Sequence, residues 1–288
     1  MAQVFGRCKR PHQGDNMTAQ PHTAPLALIG GGNMASAIAL GLLRHGMPAQ
    51  QLWVVEPDAQ AQARLQGLGL RVLAAPDASL AQAAVALWAV KPQVLPQAAA
   101  QAAPHLRGAL HISVAAGVTT ASLRQWLGST EVVRAMPNTP ALIGQGISGV
   151  YACPEVTPAQ RAQVEHILKP TGQMVWLESE DLLDAVTAVS GSGPAYAFYL
   201  MEAMVEAGVG LGLPAAVARQ LATATVAGAG ALAMGSNEPP EVLRARVTSK
   251  GGTTHAAISS MEADGVGAAL RRAVAAAHAR AQALGQAS

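Results

Sequence analysis

From Pro25 onward, short apolar runs alternate with longer stretches of helical period. Leu26–Ile29 is wholly apolar and runs into three glycines; residues 35–45 then repeat apolar positions at helical spacing and stop at Gly46. Residues 51–55, closed by Glu56-Pro57-Asp58, predict a second strand, residues 59–68 a helix and residues 71–74 a third strand. Residues 85–90 (halted by Lys91-Pro92), 109–114, 132–135 and 149–152 continue the series of strands. Short strands alternating with helices imply βαβ units and a mostly parallel, doubly wound α/β sheet of Rossmann type.

After about Leu177 the strand signals stop. Residues 181–189, 195–209, 214–234, 241–247, 254–263 and 266–284 all read as helices, with Gly or Pro in each gap. Pro194 and Pro214 stand where a first-turn proline is expected. The predicted organisation is a dinucleotide-binding domain over residues 25–178 and an all-α substrate and dimerisation domain over 179–288. Residues 1–24 mix Pro, His, Gln, Gly and Asp without periodicity and lack the apolar stretch of a signal peptide. They read as a disordered extension, with Met17 a candidate start.

The helix at 214–234 carries one charge, Arg219, and would be about 30 Å long at 1.5 Å per residue. A helix that is apolar all round must be covered all round, which a domain of roughly 110 residues can hardly do alone. Its small residues, among them Ala222, Ala224, Ala227, Gly228 and Ala231, allow close helix contact. Two readings stand: a subunit interface, which the length favours, or the central helix of one bundle.

Composition narrows the classes. Half of the 288 residues are apolar and 12% are charged, which supports a large core and excludes a disordered chain. A net charge of +2 without a basic run argues against nucleic acid as a partner. Cys8 and Cys153 have no metal or redox spacing, so a reduced, cytoplasmic chain without a bound metal is expected. Residues 220–237 are uncharged but built from Ala, Gly and Thr, too weakly apolar for a membrane span.

The clearest motif is Ile29-Gly30-Gly31-Gly32-Asn33-Met34-Ala35, a G-x-G-x-x-A turn between strand and helix. Gly30 permits the tight turn, Gly32 lets a pyrophosphate approach the backbone, and Ala35 lets helix and strand pack closely. Free N–H groups at the helix start then hold the phosphates. Glu56 follows Gly30 by 26 positions, at the end of the second strand. An acid there bonds ribose hydroxyls and repels a 2′-phosphate, which leans toward NADH; alternatively Glu56 faces solvent. Ala89-Val90-Lys91-Pro92 and Ala115-Ala116-Gly117 end two later strands and are expected to line the cofactor. Lys91 either meets the cofactor or is a solvated loop lysine.

Several motifs then agree in order: Gly30–Met34, Ala89-Val90-Lys91-Pro92-Gln93, Arg134-Ala135-Met136-Pro137-Asn138-Thr139-Pro140, Ser190-Gly191-Ser192-Gly193-Pro194-Ala195-Tyr196 and Val247-Thr248-Ser249-Lys250-Gly251-Gly252-Thr253-Thr254. Together they resemble pyrroline-5-carboxylate reductase, from Pro25 to about Leu284. The resemblance implies the last step of proline synthesis, with NADPH or NADH as reductant. It further implies a helical domain that interlocks two subunits, with larger assemblies of such dimers in the family. Lys250 departs from the family, where many members have Pro.

The substrate such an enzyme takes is a small ring with a C=N bond and a carboxylate. It needs an anion site and a partner for the ring nitrogen. By resemblance, the backbone around Ser249, Gly252 and Thr253 holds the carboxylate, and the Thr254 hydroxyl bonds the ring nitrogen as the catalytic residue. Read without the family, the segment is an ordinary Gly-rich turn with a Thr N-cap. No general acid stands out; His255 beside Thr254 titrates in the useful range and is a candidate proton donor, although adjacent helix residues usually point apart. Asn138 reads as a structural residue with some cofactor contact, and Ser190 and Ser192 as caps of the helix they precede. Two rivals remain: a related two-domain reductase of a β-hydroxyacid or another cyclic imine, and a nucleotide-binding regulator without catalysis.

Overall fold

The computed structural model describes residues 24–286. The extension expected over 1–24 lies, apart from Ala24, outside the described residues, as does Cys8. The strands are β1 (Leu26–Ile29), β2 (Leu52–Val55), β3 (Arg71–Leu73), β4 (Val85–Trp88), β5 (Leu110–Ser113), β6 (Val132–Met136), β7 (Gly146–Ala152) and β8 (Gly172–Trp176). The helices among them are α1 (Asn33–Arg44), α2 (Ala59–Gln66), α3 (Leu95–Ala102), α4 (Thr120–Leu127) and α5 (Pro158–Leu168).

The strands form one sheet in the order β3-β2-β1-β4-β5-β6-β7-β8. Every pairing is parallel except β6 with β7. β1, β2, β4 and β5 are buried along their whole length, because helices cover both faces of the sheet. That is why they read as unbroken apolar runs. β7 reverses direction because only nine residues separate it from β6, fewer than a parallel crossover requires.

Trp88 is the largest fully buried side chain. Its indole N–H donates to Nδ1 of His111 on the neighbouring strand at 3.1 Å. Burial pushes the His111 pKa down to about 4, so the ring is neutral in the folded protein. The unfolded chain takes up that proton near pH 6.5, so stability is full above 6.5 and falls as pH drops toward 4. The loss amounts to roughly 3 kcal/mol. His111→Gln keeps an acceptor for the indole and cannot titrate. Thermal melts should therefore fall less steeply between pH 6.5 and 4 in the variant; equal slopes would remove His111 from the account.

The second half is helical: α6 (Leu182–Val186), α7 (Gly193–Gly210), α8 (Ala215–Met234), α9 (Pro240–Arg246), α10 (Thr253–Ala263) and α11 (Val266–Gln286). The helix expected over 181–189 ends at Val186 and passes into a π turn, Thr187–Gly191. There the Ser190 hydroxyl donates to Val186 O at 3.0 Å, and Ser192 stands at the N-cap of α7 without a side-chain bond. The two serines therefore do not cap the helix. α7 and α8 pack closely because Gly208 has no Cβ; one built there would lie 3.1 Å from Ala218 Cβ. The outer face of α8 stays bare, and Tyr199 of α7 and Leu232 of α8 are about three-quarters exposed, at 75% and 74%. Among the described residues no helix is long and apolar enough to cross a membrane.

Candidate active site

The strand order reverses at β1, which has β2 on one side and β4 on the other. Above their carboxyl ends lies a crevice of about 510 Å³. Ile29, Gly30, Gly32, Glu56, Ala89, Val90 and Lys91 line it, joined by Pro57 and by Ala74, Ala75 and Pro76 after β3. Gly31, Asn33, Met34 and Pro92 belong to the same turns but not to the lining.

The glycine turn is shaped by what surrounds it. Gly30 has φ +97°, a conformation open to glycine, and a Cβ there would sit 2.8 Å from Val90 Cγ1. A Cβ on Gly31 would sit 2.5 Å from Leu65 Cδ1. Gly32 meets nothing within 4 Å, and it caps α1 without a side-chain bond. Gly32, the N-cap of α1, lines the crevice, so the space at this helix start is open to a diphosphate. A backbone cradle that any side chain would fill fits a dinucleotide.

Glu56 does not face solvent alone. Its Oε2 accepts from Gly31 N–H at 2.7 Å and its Oε1 from Asp58 N–H at 2.9 Å. Lys91 is exposed at the rim of the crevice. Ala115, Ala116 and Gly117 follow β5 and lie outside the lining. The end of α11 packs there: a Cβ on Gly117 would come within 3.0 Å of Leu284 Cβ.

Ser249, Lys250, Gly251, Gly252, Thr253 and Thr254 form a tight turn into α10. Gly251 takes φ +76°, and Gly252 N–H donates to Ser249 O at 3.0 Å. A Cβ on Gly252 would lie 2.7 Å from Ser249 Oγ, so a larger residue there would push the Ser249 hydroxyl aside. Gly252 is the N-cap and Thr253 the first residue of α10, with no side-chain cap. The amides at this helix start are free of side-chain partners, and no hydrogen bond of either threonine hydroxyl is seen among the described residues. This turn lines no part of the crevice. Within one chain the structure does not bring Thr254 and the glycine turn together.

Two positioning groups went unread or half-read in the sequence. Asn138 donates through Nδ2 to Ser190 O at 3.1 Å and accepts from Ile147 N–H at 3.0 Å. Its amide thus ties the β6–β7 loop to the π turn. Glu180 joins the sheet to the helical half. It accepts from Arg134 Nη1 at 2.6 Å and Thr120 N–H at 2.7 Å through Oε1, and from the Thr120 hydroxyl through Oε2. Arg134 is buried, so this partner is what makes its charge tolerable. Among the described residues no cluster of acids, histidines or cysteines is placed to hold a metal.

Comparison with known proteins follows the same division. A family model described as pyrroline-5-carboxylate reductase dimerisation matches residues 180–284. One described as NADP oxidoreductase, coenzyme F420-dependent, matches residues 25–117. The pyrroline-5-carboxylate reductase of Pseudomonas aeruginosa is 44% identical over 261 residues, covering 90% of this chain and 96% of the relative. That of Haemophilus influenzae is 38% identical, covering 89% and 96%. Among solved structures, a pyrroline-5-carboxylate reductase from Coxiella burnetii is 35% identical, with a TM-score of 0.85 over 91% of this chain and 98% of that one. A pyrroline carboxylate reductase from Plasmodium falciparum, solved with NADP bound, is 27% identical, with a TM-score of 0.81 over the same shares.

Proposed function

Since this chain belongs to the pyrroline-5-carboxylate reductase family and reduces the C=N bond of 1-pyrroline-5-carboxylate to proline with NAD(P)H, we propose that each of its active sites is built from two subunits. The sheet domain of one subunit holds the cofactor in the crevice above β1. The Ser249–Thr254 turn of the other holds the substrate. The carrying observation is that a glycine cradle and a bare helix start, each shaped for a ligand, lie apart in one chain. The dimerisation family match over the same helices supports the pairing.

In this reading the crevice residues are Ile29, Gly30, Gly31, Gly32, Asn33 and Met34 for the diphosphate, Glu56 for the ribose, and Ala89, Val90, Lys91 and Pro92 for the opposite wall. Ala115, Ala116 and Gly117 serve the border with the helical half. When bound, the reduced nicotinamide supplies the hydride that the imine carbon accepts. The amides around Ser249, Gly252 and Thr253 hold the substrate carboxylate, helped by the positive end of the α10 dipole. The Thr254 hydroxyl bonds the ring nitrogen and fixes the face of the ring that is reduced. A protonated imine needs only hydride to become the amine, so positioning supplies most of the rate, on the order of 7–11 kcal/mol in favourable cases.

The domain boundary belongs near residue 178, between β8 and α6. The covering of α8 comes from a second copy, and larger assemblies of such dimers fit the same reading. A cytoplasmic setting suits Cys153, which is buried and carries no disulfide. Light scattering at micromolar concentration tests the pairing: a dimer or a multiple of it is expected, and a stable, active monomer would defeat it.

A further inference from the structure

We infer that Glu56 sets the reductant of this enzyme, admitting NADH and disfavouring NADPH. The inference rests on the reading of the crevice above β1 as the cofactor site. An acid at the end of a second strand is common enough to mean little by itself. What distinguishes Glu56 is that it cannot turn away. Its backbone N–H donates to Leu73 O at 2.9 Å and its carbonyl accepts from Gln62 Nε2 at 2.7 Å. Both carboxylate oxygens are engaged as well, by the amides of Gly31 and Asp58. The charge is therefore fixed in the wall of the crevice, beside the middle glycine of the phosphate turn.

Among the described residues, the crevice lining beside Glu56 offers a 2′-phosphate no positive charge. On the β2–β3 side the wall consists of Pro57, Ala74, Ala75 and Pro76, none of them charged. The one cation of the lining, Lys91, follows β4, across β1 from Glu56. The other cation at the glycine turn is Arg64: Nη2 donates to Gly31 O at 3.1 Å, which holds its guanidinium at the turn, and the residue does not line the crevice. Glu56 and Arg64 thus grip the N–H and the C=O of the same glycine. A ribose with a free 2′-hydroxyl can donate to the fixed carboxylate. A phosphate there would face a like charge at close range, with no cation beside Glu56 in the crevice lining.

The test is fluorescence titration of the full-length protein with NADH and with NADPH, without substrate, so that the readout does not depend on imine reduction. The parent should bind NADH about tenfold more tightly or better, the scale expected for a fixed like charge at a partly exposed site. Glu56→Gln keeps an acceptor for Gly31 N–H, gives up the solvent-exposed bond from Asp58 N–H, and removes the charge. It should tighten NADPH by about tenfold and leave NADH within about threefold. Equal or tighter binding of NADPH by the parent, or a Gln variant that shifts both cofactors alike, would overturn the inference. So would an Arg64→Ala variant that loses NADPH selectively, since Arg64 would then be the phosphate anchor. Binding of neither cofactor would overturn the crevice reading along with it, whereas tight NADPH binding would leave that reading intact.

Discussion

Thr254→Ala is expected to lower turnover about a hundredfold, the usual cost of removing one hydrogen bond made to the reacting group. Cofactor affinity should stay within about twofold of the parent, because the turn at 249–254 lines no part of the cofactor crevice. The fold should also survive: Gly252, not a threonine side chain, caps α10, and no hydrogen bond of the Thr254 hydroxyl is seen among the described residues. Steady-state kinetics with pyrroline-5-carboxylate, with cofactor binding and melting measured on the same preparation, separates these effects. A variant as fast as the parent would remove Thr254 from the chemistry. A variant with weakened cofactor binding would place it in a different site.

The second large effect is expected at α8. Ala216, Arg219, Gln220, Thr223, Ala224 and Ala227 line one bare face of this helix. Ala218 and Ala222, on its other face, are buried within the chain. Ala227→Arg adds a long charged side chain to the bare face without disturbing the packing against α7. The variant should fold and bind cofactor, since the crevice belongs to the sheet domain. It should elute as a monomer and lose at least about 95% of its activity, since a half-site then lacks its complement. A fully active monomeric variant would show that the subunits work alone.

Much of the sheet domain was legible because burial on both faces makes β1, β2, β4 and β5 continuous apolar runs. The glycine turn was legible for a related reason: at Gly30 the backbone takes φ +97° and a Cβ would meet Val90 at 2.8 Å and the Ala89 carbonyl at 3.0 Å, a place that selects glycine. β8 escaped notice because Gln173 and Val175 point outward and the strand opens on a glycine, which breaks the apolar run. α3, α4 and α5 were not singled out, since their short patterns, eight to eleven residues, carry only one to three large apolar residues each. The π turn was hidden because Ser190 and Gly191 read as punctuation before a helix. In the structure one bonds back to Val186 and the other packs on Met136, where a Cβ would lie 2.7 Å from Cε.

The site divides the same way. The turn at 249–254 stands out as glycines before threonines, a local pattern with a local reason. Glu180 does not, because its partners Thr120 and Arg134 lie 60 and 46 residues away, and a lone surface-type acid carries no local signal. The relation between Thr254 and the crevice was the least legible part. In the proposed two-subunit site it is a property of two chains, and the spacing along one of them contains no measure of it. The bare face of α8 was the only hint, and the sequence read it as either an interface or a bundle core.

One measurement bears on shared sites most directly. Thr254→Ala removes the proposed substrate contact. Gly32→Val leaves the turn foldable, since Gly32 has extended backbone and nothing within 4 Å, but its branched side chain occupies the space a diphosphate needs. Each variant alone should be nearly inactive. Co-expressed, they form mixed dimers in which an intact crevice of one subunit faces an intact Thr254 of the other. Activity should then return to roughly a quarter of the parent value, the statistical share of one live site in half of the dimers. A mixture no more active than its two components would mean that each chain carries its own complete site, contradicting the account.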